Sequence, residues 1–297
     1  MIPYKVSKKQ YSIKGAVMSK VIVITGLADG MGRYVAMMLA KKGYSVAGFD
    51  MDEKGIESLK KELKKISSGD AKHHLVALDI TNRKGILKFR DEVLKKYKKV
   101  DVVLSNVGIG FFGPFEEVDL EKALKCLEIN VIGAMAIFQA FIPHMRKNRE
   151  GKLIAMSSIV GQVPFPFESI YTASKFGIEG WVYALKYELD PFGIKFAIIA
   201  PAQVSTSFAA KIHKLPPKGS EYMERVKRFI AKDKEMIKAA PTPEFAAKKI
   251  VKVIEKKNPK LFNQIEFQSV VFYWLNKLSP RWFRDFLVLT IMDIRKK

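Results

Sequence analysis

Between residues 21 and 201, apolar runs alternate at short intervals with amphipathic helical patterns, and few folds accommodate this rhythm. The runs are nearly continuous in apolar residues, as in VIVIT at 21–25 and IKFAIIAP at 194–201. Strands of this kind, separated by helices, indicate a parallel sheet covered on both faces. Because such crossovers are right-handed, we expect a single doubly wound α/β domain. The predicted strands are 21–25, 44–50, 73–79, 100–106, 151–158 and 194–201, and the predicted helices include 53–66, 83–97, 116–147 and 171–189.

Two segments depart from this rhythm and define the predicted organisation of the chain. Residues 205–240 are charged and contain no strand pattern, so we predict a loop-and-helix flap over a site. Residues 264–297 are dense in aromatic side chains and follow helical spacing, which indicates an amphipathic C-terminal helical extension. The domain itself is expected over 19–263, after an N-terminal extension at 1–18 to which we assign no function.

The chain is strongly basic, with 52 lysines and arginines against 30 aspartates and glutamates and a formal charge of +22. The basic residues are spread over helix faces, which is typical of a solvated surface; attraction to anionic lipid or nucleic acid is the alternative. No zinc-finger, RNP or basic-region motif accompanies the charge, so we expect no specific nucleic-acid binding. The single cysteine, Cys126, excludes a disulfide framework and favours a reducing, cytoplasmic location. The four histidines lack metal-ligand spacing, so no metal site is expected.

A glycine-rich turn, TGLADGMG, joins the first predicted strand to the first predicted helix. Gly26, Gly30 and Gly32 allow positive φ angles and let the backbone approach a pyrophosphate, whose charge suits a helix N-terminus. The position between strand and helix therefore predicts a dinucleotide site, and a tight turn without a ligand is the structural alternative.

Two aspartates bear on the choice of dinucleotide. Asp50 ends the second predicted strand about twenty residues after the glycines, where a carboxylate can accept hydrogen bonds from both ribose hydroxyls. Asp29 lies inside the glycine turn, where a site for NADP would more readily have a basic residue. Both features favour NAD(H) over NADP(H), and a simple strand-end cap is the alternative interpretation of Asp50.

A serine, a tyrosine and a lysine lie within the stretch SSIVGQVPFPFESIYTASK at 157–175. Its prolines resist helix formation, so Ser158 is expected to leave a strand and Tyr171 to enter a helix. Tyr171 and Lys175 are four residues apart and share one face of that helix. A phenol beside an ammonium group suggests acid/base chemistry, and a pair of surface neighbours is the alternative.

These residues resemble those of the short-chain dehydrogenase/reductase family, and the resemblance covers about 19–260. The glycine turn follows the family pattern TGxxxGxG, and Asp79 matches the acidic residue that approaches the adenine. The family's NNAG motif is altered to SNVG but keeps Asn106 and Gly108. Its PGxVxT segment is present as PAQVST, with Ala202 where glycine is usual.

The resemblance implies roles for four catalytic side chains. Tyr171 corresponds to the family tyrosine, which exchanges a proton with the substrate oxygen, and Ser158 to the serine that holds this oxygen. Lys175 corresponds to the lysine that supplies positive charge to the phenol and binds the nicotinamide ribose. Asn130, in the stretch EINVIGA, corresponds to the asparagine that anchors a water molecule beside the lysine.

The resemblance also implies a Rossmann fold with about seven parallel strands in the order 3-2-1-4-5-6-7. The resemblance implies an NAD(P) cofactor, for which Asp50 and Asp29 favour NAD(H). It also implies a homo-oligomer, with dimer and tetramer both open. The residues expected to contact the cofactor are Gly26, Asp29, Gly30, Met31, Gly32, Asp50, Asp79, Ile80, Asn106, Val107, Gly108, Tyr171, Lys175, Pro201, Val204 and Thr206.

The expected reaction interconverts a secondary alcohol and a ketone. Phenylalanines near the expected mouth of the site favour an apolar substrate such as a keto lipid, a steroid or a retinoid. A 3-oxoacyl-thioester reductase and a non-catalytic nucleotide-sensing or membrane-associated scaffold are the alternatives. The apolar runs of 267–297 are too short to span a bilayer, but their aromatic and arginine residues suit peripheral contact with a membrane surface. Packing of this segment on protein is the other interpretation.

Overall fold

The computed structural model describes residues 19–206, 208 and 216–295. The predicted N-terminal extension, and the part of the predicted flap at 207 and 209–215, lie outside these residues.

Within the described residues, a seven-stranded sheet has the order 3-2-1-4-5-6-7, and every pairing is parallel. This arrangement confirms the predicted doubly wound α/β fold. Since β1 lies between β2 and β4, the order of the strands reverses there and leaves a crevice at their carboxyl ends. The strands are β1 Val21–Thr25, β2 Ser45–Asp50, β3 His74–Ala77, β4 Val102–Ser105, β5 Gly151–Met156, β6 Ile194–Ile199 and β7 Phe262–Asn263.

Helices cover both faces of the sheet and then extend over its carboxyl edge. Side-chain caps begin several of them; the carboxylate of Asp52, for example, accepts from the backbone N–H of Gly55 at the start of α2. The helices are α1 Gly30–Lys41, α2 Glu53–Ile66, α3 Arg83–Tyr97, α4 Leu120–Leu127, α5 Gly133–Asn148, α6 Ser169–Leu189, α7 Met223–Lys238, α8 Pro243–Glu255, α9 Phe267–Leu278 and α10 Arg281–Ile291.

Alternate residues of the strands enter two separate cores. In β1, Ile22 and Ile24 face the core formed with α1, α2 and α8. Val21 and Val23 face the opposite core, formed with α3, α5 and α6. All four side chains are at most 2% exposed, which is why the strand is apolar at every position.

Helices α4 and α5 form one long helix, Leu120–Asn148, which a π-helical turn at Glu128–Ile132 interrupts. By length and composition alone this helix could cross a membrane. In the fold the α5 part of this helix packs against the sheet, and Ile137, Phe138 and Phe141 are fully buried there. The helix is therefore a core element of the domain.

The C-terminal segment forms two helices, α9 and α10, and Ser279 and Pro280 separate them. Phe272 of α9 and Val288 of α10 pack on the loop that follows β5, beside Val160 and Val163. Met292, just after α10, joins a second cluster with Phe229 of α7. Helices α7, α9 and α10 together therefore cover the carboxyl edge of the sheet beside the crevice.

Candidate active site

A cavity of about 720 Å³ opens at the carboxyl edge of the sheet. Its walls include the glycine turn and the carboxyl ends of β2 and β3, and also apolar side chains from the C-terminal half, among them Phe229, Phe272 and Met292. Ser158 and Tyr171 line the same cavity. The fold thus joins the predicted dinucleotide site and three of the predicted catalytic residues, Ser158, Tyr171 and Lys175, in a single space.

The glycine turn holds its shape through a close approach of α1 to the strand end. A Cβ atom on Gly32 would lie 2.1 Å from the carbonyl oxygen of Gly26 and 2.8 Å from Nδ2 of Asn106. This amide donates to the carbonyl oxygens of Thr25 at 3.2 Å and Gly26 at 2.8 Å. Gly30 opens α1 with a φ of 56°, which a residue with a Cβ rarely adopts. The first residues of α1, Gly30 and Met31, therefore line the cavity and form with Gly26 a backbone cradle that suits an anion.

Two carboxylates line the cavity beside this cradle, and backbone amides hold both of them. Oδ2 of Asp50 accepts from the N–H of Ala28 at 3.1 Å, and its Oδ1 accepts from the N–H of Asp52 at 3.0 Å. Oδ1 of Asp79 accepts from the N–H of Thr81 at 2.8 Å and from its hydroxyl at 2.9 Å. The positions of the two carboxylates are thus fixed, as hydrogen bonding to a ribose or an adenine would require.

The other predicted cofactor contacts reach the same cavity, with one exception. Asp29 caps α1, since its Oδ1 accepts from the N–H of Gly30 at 2.7 Å. Gly32 does not line the cavity, because it lies behind the turn against Gly26. The residues that do line the cavity are Gly26, Asp29, Gly30, Met31, Asp50, Asp79, Ile80, Asn106, Val107, Gly108, Tyr171, Lys175, Pro201, Val204 and Thr206.

Asn130 lies fully buried in the π-helical turn and connects three elements. Its Oδ1 accepts from the N–H of Ile109 at 2.8 Å, and its Nδ2 donates to the carbonyl oxygen of Ile109 at 2.9 Å and to the hydroxyl of Ser174 at 3.0 Å. Burial raises the pKa of the neighbouring Cys126 thiol to about 11, so this cysteine stays protonated at neutral pH. The π-helical turn therefore fixes the chain after β4 against α6, as π-helical turns often do near functional sites.

The side chains of Ser158 and Tyr171 meet at the cavity wall. Ser158 follows β5, and Tyr171 lies in the first turn of α6. Burial raises the pKa of the Tyr171 phenol well above its ordinary value, and the nearby Glu168 carboxylate raises it further. A hydrogen bond with the Ser158 side chain lowers it in part. The phenol is therefore protonated at neutral pH.

Lys175 is one turn further along α6, with its ammonium 5.5 Å from the centre of the Tyr171 ring. The ammonium is buried and donates to the carbonyl oxygen of Met156 at 3.0 Å. Burial lowers its pKa to about 8, and the negative charge of the Glu179 carboxylate acts in the opposite direction. A Cβ on Gly108 would lie 3.4 Å from this ammonium, so the altered SNVG motif keeps a glycine where space is limited.

Three groups of residues at the site were not identified from the sequence. Glu168 and Asp233 both line the cavity, and Phe272 and Met292 line it from the C-terminal segment. Glu179, buried on α6, accepts from the Ser157 hydroxyl at 2.7 Å. Only Asp233 left a readable signal, because it falls on the apolar face of the α7 pattern.

Residues 20–216 match a family model described as short chain dehydrogenase. A protein of Bacteroides thetaiotaomicron named 3-ketodihydrosphingosine reductase is 28% identical over 242 residues, which cover 81% of this chain and 85% of that protein. Human 17-beta-hydroxysteroid dehydrogenase type 1 is 28% identical over 250 residues, with 81% and 76% coverage.

Solved structures agree in fold. A short-chain dehydrogenase from Streptomyces avermitilis superimposes with a TM-score of 0.78 and 24% identity, over 95% of this chain and 100% of that one. Among similar structures, one is complexed with NADH and another with 5-hydroxy-NADP. The fold alone therefore does not select between the two dinucleotides.

Proposed function

Because the chain belongs to the short-chain dehydrogenase family, we propose that it is an NAD(H)-dependent oxidoreductase that interconverts a secondary alcohol and a ketone. The observation that carries this proposal is the pairing of the Tyr171 phenol with Ser158 in a cavity shared with the glycine turn. A protein that only binds a nucleotide has no need for a half-buried phenol and a buried ammonium on one helix face.

The proposed roles follow from where the side chains lie. The Ser158 hydroxyl donates a hydrogen bond to the substrate oxygen and holds it against Tyr171. The hydride for the carbonyl carbon comes from the reduced nicotinamide when this cofactor is bound. Tyr171 protonates the oxygen in the reductive direction and accepts the proton in the oxidative one. Lys175 holds the ribose and provides positive charge near the phenol, and Asn130 orders the chain and a water molecule beside it.

NAD(H) is the proposed cofactor in preference to NADP(H). The carboxylate of Asp50, held by the amides of Ala28 and Asp52, suits two ribose hydroxyls and repels a 2′-phosphate. Asp29 adds a second negative charge in the turn. The cradle over Gly26 and Gly30 is the part of the site that suits the pyrophosphate, because N–H groups at a helix start attract anions.

The proposed substrate is lipophilic. Phe229, Phe272 and Met292 give the cavity an apolar wall. The names of two relatives, a 3-ketodihydrosphingosine reductase and a 17-beta-hydroxysteroid dehydrogenase, are consistent with a keto lipid or a steroid. A 3-oxoacyl-thioester reductase is a second candidate, because the cavity wall also suits an acyl chain.

The test is NADH consumption with a panel of aliphatic, steroid and acyl-thioester ketones. Tyr171→Phe should abolish turnover and preserve NADH binding, since only the hydroxyl is lost. Tyr187→Phe, on the exposed side of the same helix, is the matched control and should retain activity. Binding of NADH without turnover of any ketone by the wild type would instead favour a nucleotide-sensing scaffold.

We also propose a homo-oligomer. Helices α4 and α6 expose large apolar side chains on the surface of the chain, including Leu124, Phe176 and Tyr187. A second copy of the chain would bury them. Analytical ultracentrifugation tests this proposal, and Phe176→Asp should shift the protein toward monomer. A wild type that sediments as a monomer at micromolar concentration would contradict it.

We also propose a cytoplasmic location, with peripheral contact with a membrane through the outer face of α9 and α10. Phe267, Trp274, Leu278 and Trp282 are 81%, 52%, 76% and 70% exposed, respectively. Aromatic side chains of this kind insert at headgroup depth, and the net charge of +22 favours anionic lipid. In a flotation experiment the wild type should rise with phosphatidylserine vesicles, and the double variant Trp274→Ser/Trp282→Ser should stay in the unbound fraction. Absence of the wild type from the vesicles would refute the contact.

A further inference from the structure

The segment at 201–206, with the sequence PAQVST, forms part of the cavity wall at the end where Ser158 lies. The carbonyl oxygen of Pro201 accepts from the N–H of Ile159, the residue after Ser158, at 2.7 Å. In the sheet, β1, β4 and β5 separate β6, which precedes the segment, from β2, which ends at Asp50. The segment therefore lies at the opposite end of the cavity from Asp50. Its residues that line the cavity are Pro201, Ala202, Gln203, Val204 and Thr206.

Contacts from beyond residue 240 hold this segment in place. The N–H of Ser205 donates to the carbonyl oxygen of Pro241 at 3.0 Å, in the chain before α8. The N–H of Ala202 donates to Oε1 of Glu266, which immediately precedes α9. The second contact involves a carboxylate, and hydrogen bonds to charged groups are stronger than those between neutral groups. The backbone of Ala202 is thus fixed to the start of the C-terminal helices.

Glu266 binds two distant parts of the chain at once. It is the N-cap of α9, where its Oε2 accepts from the N–H of Ser269 at 3.0 Å, while its Oε1 is bound to Ala202. The residue is 8% exposed, so both hydrogen bonds lie in a buried environment. Serine, threonine, aspartate and asparagine are the preferred caps, and a helix cap alone would not need the longer glutamate. The extra methylene group gives Glu266 the reach to connect the cap with Ala202.

Ala202 is also the position where the PAQVST segment departs from the family pattern, which has glycine there. In the fold, Ala202 packs against the cluster that contains Phe272 of α9 and Val288 of α10. The C-terminal helices therefore hold this residue in two ways, through apolar packing and through the Glu266 carboxylate.

We propose that Glu266 is a positioning residue that fixes Ala202 and, through it, the part of the cavity wall that receives the nicotinamide end of NADH. The inference rests on the proposed oxidoreductase function, which places the nicotinamide near Ser158 and Tyr171. Glu266 acts through Ala202, since it does not itself line the cavity. A wall that is already held in its binding conformation loses less conformational freedom when the cofactor binds, so NADH is bound more tightly.

The test compares the binding of NADH and of ADP by isothermal titration calorimetry. ADP has the adenosine and the two phosphates that suit Asp50 and the glycine turn, but it lacks the nicotinamide. Glu266→Asp keeps a favourable N-cap and shortens the side chain by one methylene group, so the contact with Ala202 is lost. The Kd for NADH should then rise by at least about tenfold, as expected for the loss of a charged hydrogen bond, while the Kd for ADP stays as in the wild type.

Ser269→Ala is the matched control. The Ser269 hydroxyl supports the same cap from within α9, since it donates to the carbonyl oxygen of Glu266 at 2.9 Å, and its removal leaves the Glu266 carboxylate on Ala202. This variant should lower stability in urea unfolding and keep the wild-type ratio of the two Kd values. The ratio is measured within each protein, so a partial loss of folded protein leaves it unchanged.

Glu266→Ala, which loses both contacts of the carboxylate, should show the same rise in the ratio together with a lower stability. A wild-type ratio in this variant, or equal weakening of NADH and ADP in Glu266→Asp, would overturn the inference and leave the proposed function standing. Failure of the wild type to bind NADH would refute the proposed function, and the inference with it.

Discussion

Replacement of Gly32 by alanine tests whether the packing of α1 against the strand end shapes the dinucleotide site. The new Cβ would lie 2.1 Å from the Gly26 carbonyl oxygen and 2.8 Å from Nδ2 of Asn106. An ordinary carbon–oxygen contact is longer by roughly 1 Å, so α1 and the turn must separate by about that distance. The atoms that must move include a backbone carbonyl, so no flexible side chain can relieve the overlap.

The cost can be worked out from these contacts. Overpacking of a tight site typically costs about 1–3 kcal/mol. The hydrogen bond from Asn106 to the Gly26 oxygen, 2.8 Å long, would also be lost, which adds about 1 kcal/mol. We therefore expect Gly32→Ala to lower the free energy of unfolding by about 2–4 kcal/mol. Because the N–H groups of the cradle move with α1, the Kd for NADH should rise by at least about tenfold.

Gly30→Ala is the matched comparison. Its Cβ would meet only the Thr206 methyl group, at 3.8 Å, so the cost comes from its φ of 56° alone. This cost is about 1 kcal/mol. Urea unfolding gives the stability of both variants, and fluorescence titration gives the Kd for NADH. A Gly32→Ala protein with the stability and Kd of Gly30→Ala would refute the reasoning from close approach.

Two further predictions concern charge. Asp50→Ser should lower the ratio of kcat/KM for NADH to that for NADPH by at least about tenfold, since the carboxylate that suits the ribose hydroxyls is lost; an unchanged ratio would show that Asp50 does not select the cofactor. Glu179→Gln should change how stability depends on pH. Burial raises the pKa of Glu179 from 4.5 to about 7 in the folded state, so the folded chain binds more protons than the unfolded chain in this window. Wild-type stability therefore falls as the pH rises from 4.5 to 7, and Glu179→Gln should fall less steeply in urea unfolding across this range. Parallel curves for the two proteins would contradict the assignment.

Much of the α/β domain could be predicted because its signals are local. The run VIVIT coincides with β1, and the helices Glu53–Ile66 and Arg83–Tyr97 have the predicted bounds. Strand order was accessible from the crossover rule together with the family resemblance. The π-helical turn at Glu128–Ile132 could not be predicted, because its cause is tertiary: it serves the hydrogen bonds between Asn130 and Ile109.

The residues that line the cavity beside Tyr171 were harder to predict because they come from distant segments of the chain. The spacing of Tyr171 and Lys175 identifies them in the sequence, whereas Glu168 and Asp233 are far apart in the sequence and line one cavity only in the fold. The C-terminal segment was expected to be amphipathic, and its spacing alone could not tell which face packs. In the fold, Phe272 faces the cavity and Trp274 faces outward. A helical periodicity identifies faces but not the neighbour of each face.

The two halves of the cavity wall have separate origins along the chain. The cradle, Asp50 and Asp79 are built from the first four strands and their turns, whereas Phe229, Asp233, Phe272 and Met292 come from helices beyond residue 222 or just after them. The C-terminal helices could thus be replaced, which would change the part of the cavity that they line while leaving the glycine turn, Asp50 and Asp79 intact. The same division means that these helices could be grafted onto a relative with the same sheet. The graft should then transfer their substrate preference to that relative.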